Sequence, residues 1–329
     1  MTTTAPPPMA SAPDDAPVGV SAAPAGSRGA WRMVRRVWRD PGGRIGIIIV
    51  VVMVLLALLG ISGLMAHDPI TQNPTDRLQG PSGRYWFGTD QFGRDIASRT
   101  FSGIFTSLRV SVVSVAIASV IGSALGVLSG FLGGWVDQVV GRITDVLFAF
   151  PAILLTLALV SALGNGWFNT VIAIAVVYAP IFTRVARGPT LSVAQSEFIR
   201  AGRVLGVPTW RLLLRHVVPN VSAPIVVQVT LALSWAILTE SALSFLGLGT
   251  QPPDASLGLM VANSQNLLYT AWWTLVFPAV AIIVLVIGLN LLGDGLRSAL
   301  DPRQSDRSRR ARRAGRVRST ASASKESTT

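Results

Sequence analysis

Cysteine is absent from the 329 residues, lysine occurs once, at Lys325, and histidine twice, at His67 and His216. The missing cysteine excludes disulfides, thiol nucleophiles and cysteine-ligated metals. A P-loop needs a lysine behind a glycine-rich turn, and Lys325 has no such turn before it, so a standard ATP site is excluded too. Charge is also scarce. Only 13% of residues are charged, against about 25% in soluble domains. His67 beside Asp68 has metal-ligand character, but a lone pair without a partner cluster does not make a site, and no metal is expected.

Apolar residues make up 50% of the chain, and they recur in runs long enough to cross a bilayer. The expected fold is all-α: a polytopic helical membrane protein with about six transmembrane helices. The runs fall at residues 45–66, 107–132, 146–163, 168–183, 223–248 and 272–292. Residues 1–27 are mostly Ala, Pro, Thr and Ser and cannot bury enough surface to fold, so 1–43 is expected to be a disordered N-terminal tail. The first apolar run begins too far in, and is too long, for a signal peptide. Arg28, Arg32, Arg35, Arg36, Arg39 and Arg44, with Trp31 and Trp38 between them, form a basic interfacial flank; lipid recognition is the sharper alternative.

Orientation follows from counting basic residues. In the loop 67–104, Arg77, Arg84, Arg94 and Arg99 are balanced by Asp68, Asp76, Asp90 and Asp95. Apart from these arginines and Arg109 at a span edge, basic residues lie on the side shared by both tails. That side is expected to be cytoplasmic, which places both termini inside and requires an even number of spans. The arginine-rich tail 299–329 has no stacking aromatics, so solvated or lipid-facing charge is expected rather than nucleic-acid binding.

Two features stand out within the spans. Gly122, Gly126, Gly130 and Gly134 recur every four residues on one helix face, a spacing that lets helix backbones approach closely in lipid; a flexible hinge is the alternative. Glu240 is the carboxylate lying well inside a span. It is expected to face the bundle or a translocation path, because a charge at a helix centre costs about 2.5–3.5 kcal/mol on insertion scales. Pro180 predicts a kink near the end of the fourth span.

The segment 192–220 is neither uniformly apolar nor simply a loop. Ser192 followed by Gln195 reads as a capping box and Gly206 as the residue just past a helix end. Pro208 opens a second short helix and Pro219 closes it. Two short cationic helices joined at a glycine make a docking element for another protein. Trp210, Leu213 and Leu214 are its expected apolar contacts, and Arg211 and Arg215 its charged ones.

The same segment resembles the EAA loop of bacterial ABC-importer permeases. Ala201, Gly206 and Pro219 stand at matching positions, with Arg200 and Gly202 in place of the Glu and second Ala. Phe87-Gly-Thr-Asp-Gln-Phe-Gly-Arg-Asp95, Arg215-His-Val-Val-Pro-Asn220, Glu240-Ser-Ala-Leu-Ser-Phe-Leu-Gly-Leu-Gly249 and Asn290-Leu-Leu-Gly-Asp-Gly-Leu-Arg-Ser-Ala-Leu-Asp-Pro-Arg303 extend the likeness. Over roughly residues 40–303 the chain resembles the C-type permease subunit of dipeptide, oligopeptide and nickel importers. The resemblance implies a five-helix type-1 permease core at about 105–298, with the first span as an addition. It implies ATPase-coupling roles for Glu197, Ala201, Gly202, Gly206, Trp210, Arg211, Arg215 and Pro219. It also implies a B-type permease partner, two ATPase subunits that bind the ATP, an extracytoplasmic solute-binding protein, a bacterial plasma-membrane location, and short peptides or nickel as cargo.

Two other classes compete. A membrane enzyme is disfavoured because His67 and His216 fall on opposite sides and no catalytic constellation gathers on one face. An ATP-independent transporter or channel is the alternative, but one intramembrane carboxylate makes a poor ion relay. The importer reading explains both the docking segment and the missing P-loop. The purified chain alone is therefore expected to bind no ATP; equilibrium binding of labelled nucleotide checks this.

Overall fold

Asp40 starts the first long helix. Its carboxylate accepts from the Gly43 amide at 2.9 Å, and Pro41 occupies the first turn, where a missing N–H costs nothing. In the computed structural model, which describes residues 34–300, this helix (α1) runs Pro41–Ile61. The expected tails at 1–33 and 301–329 lie outside the described residues. The N-terminal tail expected to 43 is corrected at its inner end: residues 34–39 are helical, and Val37 is buried against Gly43 and Gly295.

The loop that follows is held by paired polar groups. Asp90 accepts from Arg94 Nε at 2.7 Å and from the Phe92 amide at 2.8 Å. Asp76 accepts from the Tyr85 hydroxyl at 2.8 Å, a bond that raises the tyrosine's pKa above its ordinary value. Helix α2, Ile96–Leu132, begins about ten residues earlier than expected. Its first turns are polar, so hydropathy misses them, but they are paired. Asp95 caps the Ser98 amide, Ser98 Oγ donates to the His67 carbonyl, and Arg99 donates to that of Pro69. At 1.5 Å per residue α2 is ~55 Å long, well beyond the ~30 Å of hydrocarbon.

The expected third span is not one helix. Helix α3, Gly134–Phe148, and α4, Ala152–Leu163, meet at a 92° bend. Pro151 is the cause: the residue before a proline is pushed out of the helical region, and Pro151 becomes the N-cap of α4. Helix α5, Trp167–Ala194, continues past the expected end, with Pro180 and Pro189 inside it. Then come α6, Glu197–Val204, and α7, Thr209–Leu212, which a π turn at Leu213–Val217 joins to α8, Val218–Phe245. Helix α9, Leu257–Ser264, lies in the last loop and α10 is Trp273–Leu300. Among the described residues five helices are long and apolar enough to cross a membrane, six if the bent pair counts as one span.

Glycines set how these helices meet. A Cβ at Gly122 would strike the Ala179 carbonyl and lie 2.8 Å from Phe182 Cβ. One at Gly126 would strike the Thr183 carbonyl, and one at Gly130 would lie 2.9 Å from that of Arg187. Three of the four expected packing glycines thus seat α2 on α5. Gly134 does not: nothing lies near it, and with φ +56° it belongs to the turn into α3. A second crossing absent from the sequence reading joins α1 to α10, where a Cβ on Gly46 would lie 2.9 Å from the Gly288 carbonyl.

Glu240, on α8, ties that helix to α2. It is 1% exposed; one oxygen accepts from Ser107 of α2 at 2.6 Å, the other from Ser244 of α8 at 2.8 Å. Beside it, Gly258 of α9 lies against the Ser241 backbone.

Gly126→Val is expected to force α2 and α5 apart and cost about 1–3 kcal/mol. Gly141→Ala, in a helix with open surroundings, should be neutral or slightly stabilising. Unfolding of the purified protein in detergent separates the two. By the same measurement Glu240→Ala should cost about 2–4 kcal/mol, from lost buried hydrogen bonds and a cavity.

Candidate functional site: the segment between α5 and α8

Helix α6 starts later than the capping-box pattern suggests. Ser192 lies inside the last turn of α5, Gln195 ends that helix, and Ser196 stands at the N-cap of α6 with its hydroxyl turned back to the Val193 carbonyl. The carbonyls of α5 had the prior claim, since α5 runs unbroken to Ala194.

The other end matches its chemistry. Gly206 has φ +72°, its amide donates to the Arg203 carbonyl at 3.1 Å, and that of Val207 reaches the Gly202 carbonyl at 3.0 Å. This pair of bonds is a Schellman motif, which satisfies carbonyls the helix end would otherwise leave open. Pro208 is the N-cap of α7 rather than its first residue.

Pro219 does not close a helix. It sits in the first turn of α8, and the π turn just before it carries the Val218 amide to the Leu213 carbonyl. That widened turn absorbs the proline's missing donor and its clash with the preceding turn. Thr209–Phe245 therefore forms one apolar span of 37 residues with the site at its foot.

One side of the segment is anchored. Ile199, Leu212 and Val217 are buried in a cluster with Val127, Phe131, Ala186 and Val221. Gly202 fits this packing, because a Cβ there would lie 2.8 Å from Leu212 Cδ2. Where the resembling pattern has alanine, the leucine beneath leaves no room. Arg203 lies over the Phe131 ring at 4.6 Å, so it serves the anchor and not the free face.

The other side is open. Trp210 is 60% exposed, Leu214 64%, Val204 87% and Leu205 81%. Leu213 is half-buried, so of the three expected apolar contacts two are free. Val204 and Leu205 were missed, although an apolar pair directly before the capping glycine was their signal. Glu197, Arg200, Ala201, Arg211 and Arg215 are exposed, and among the described residues none of the charged ones forms an ion pair. A preshaped patch combining large apolar groups with unpaired arginines marks a protein contact.

Glu240 belongs elsewhere. It lies 23 residues beyond Val217 in the same span, ~35 Å along the axis. Nearer the site, a cavity of about 240 Å³ lies between the α3–α4 elbow and α5 and α8, lined by Phe148, Phe150, Tyr178, Gln228 and Trp235. Gln228 also lines a wider cavity of about 580 Å³ that Arg297 borders. No group of three or more His, Asp or Glu suited to a metal occurs among the described residues.

Comparison with known proteins agrees with this architecture. Residues 122–306 match the family model of the binding-protein-dependent transport system inner membrane component, and residues 29–81 match the N-terminal TM domain of oligopeptide transport permease C. A dipeptide transport system permease of Alkalihalophilus pseudofirmus is 41% identical over 79% of this chain and 85% of its own. A probable D,D-dipeptide transport system permease of Escherichia coli K12 is 42% identical over 81% and 90%, respectively. A glutathione transport system permease of E. coli O157:H7 is 46% identical over 68% and 74%. A chain of the inward-facing MetNI methionine ABC transporter superposes with TM-score 0.51, over 62% of this chain and 96% of its own; at 19% identity that likeness concerns the fold. Helices that close on glycines, an open basic and apolar foot, and a family match over more than half the length converge: this chain belongs to the binding-protein-dependent transport system inner membrane components, the permease subunits of ABC importers, and is not an enzyme.

Proposed function

We propose that this chain and a second, related permease form the path by which short peptides cross a bacterial plasma membrane, and that ATPase subunits drive it from the foot of α5 and α8. The observation that carries this is the free face of residues 197–215, with exposed Val204, Leu205, Trp210 and Leu214 beside unpaired Arg211 and Arg215. An importer whose own sequence lacks a P-loop lysine needs its ATP bound in trans, and this face is where such a subunit would seat. An ATP-independent transporter would leave it without an occupant.

The relatives are named for dipeptides and glutathione, and short peptides rather than nickel are the cargo proposed. An extracytoplasmic solute-binding protein would deliver them. The type-1 core is assigned to about 105–298, with α1 as an added helix. The arginine distribution supports a cytoplasmic position for both termini, since the loop arginines Arg84, Arg94 and Arg99 are offset by Asp76 and Asp90. The cavities bordered by Gln228 would line the path.

Coupling must be tight. Shifting a two-state pore from 1:99 to 99:1 takes about 5.5 kcal/mol of differential binding. Gly206→Val tests the seat. A Cβ there meets no atom within 4 Å, so the variant's defect is confined to a backbone that a β-branched residue strains by ~1–2 kcal/mol. The assembled complex carrying it should insert normally but lose the link between peptide uptake and ATP hydrolysis. Wild-type uptake and wild-type ATPase stimulation together would refute the docking assignment.

A further inference from the structure

Helix α3 is located by charge rather than by a core. Thr144 is its one buried residue, while Trp135, Val139, Ile143 and Val146 on its other face are exposed. Its ties run to α5. Arg187 sets Nε and Nη2 on the two oxygens of Asp137, at 2.5 and 2.6 Å. One turn earlier, Arg184 donates to Asp145 at 2.7 Å and lays its guanidinium 4.0 Å from the centre of the Phe148 ring. Residues three apart on α5 thus grip residues eight apart on α3, each pair sharing one helix face. The two-pronged Arg187 contact fixes direction as well as distance.

The position of this latch matters. At one end α5 runs unbroken to Ala194 and leads within two residues into α6. At the other, Arg184 grips Phe148, the last residue before the 92° elbow. Phe148 and Phe150 line the cavity of about 240 Å³ together with Tyr178, Gln228 and Trp235.

We propose that Arg184 and Arg187 are positioning residues for transport, which make the α3–α4 elbow follow α5, so that displacement of α6 by an ATPase moves Phe148 and Phe150 in the cavity wall. This rests on the docking role proposed for α6. Helix α4 packs on α5 through Val160, but with so little of α3 buried no packed core competes with the ion pairs on that arm of the elbow, and breaking them frees α3 and Phe148 while leaving α6 on its anchor.

Charge reversal tests the latch in the assembled complex, reconstituted in vesicles with its ATPase subunits. Asp137→Arg and Arg187→Asp should each keep ATP hydrolysis but lower peptide uptake about five- to hundredfold, the usual span of a coupling between sites. The double variant, with the pair restored in reverse, should regain most of it. Wild-type uptake in both single variants, or a double variant as defective as either, overturns the proposal.

A second measurement covers variants that assemble poorly. The chain has no cysteine, so Phe150→Cys introduces its one thiol. Its alkylation rate should depend on the nucleotide state of the complex, and Asp137→Asn with Asp145→Asn should abolish that dependence. A dependence that survives the two Asn substitutions overturns the latch. Gly206→Val, run alongside, separates the two ideas: if it too leaves uptake and hydrolysis coupled, the docking reading fails, whereas silent latch variants beside an uncoupled Gly206→Val sink only the latch.

Discussion

A bilayer gives helices no hydrophobic reason to meet, because lipid tails are as apolar as leucine. What remains is close packing and polar bonding. Everything in this molecule depends on how backbones are brought near enough for dispersion to act. On α2 the glycines at 122, 126 and 130 remove the side chains between it and the carbonyls of α5. On α1 and α10 the glycines at 46 and 288 do the same. The two crossings fix α2 on α5 and α1 on α10, and α8 fills the space between them with Ala232, Ala236 and Ile237. The foot of α5 and α8 is where it is because those crossings put it there.

Polar bonding supplies what close packing cannot: direction. Glu240 reaches Ser107 on another helix, and the Asp90 cluster fastens the first loop to the start of α2. Both are buried, so each oxygen needs its partner. The pairs on α3 differ in kind. They lie partly open to solvent, where an ion pair contributes little to stability. Their importance is geometric, since they determine where a weakly buried helix points.

What the sequence made legible followed from local rules. A glycine after a helical run means a left-handed residue, and Gly206 is one. Four glycines at a spacing of four mean a packing face, true of the first three. Apolar runs mean spans, and the fold class follows. The misreadings came where tertiary contacts overrode local chemistry. The polar start of α2 hides from hydropathy because its partners, the carbonyls of His67 and Pro69, lie some thirty residues away in the chain. Pro219 reads as a stop, yet a π turn next to it lets the helix continue. Ser192 and Gln195 form a plausible cap whose amides α5 already uses. At the candidate site the arginines and Trp210 could be named from sequence, but which face they share could not, since that depends on Leu212 and Ile199 turning inward.

The α2–α5 crossing also has a history in time. Helix α2 leaves the ribosome about sixty residues before α5 is complete, an interval of ~3–12 s at ordinary rates of synthesis. Through that interval the bare strip at 122, 126 and 130 has no mate, while α3 and α4 emerge next to it. A strongly apolar or glycine-faced α3 would settle on the vacant strip and block the proper arrival. Helix α3, with Thr144 alone buried, offers that strip little to pack against while α5 is still being made.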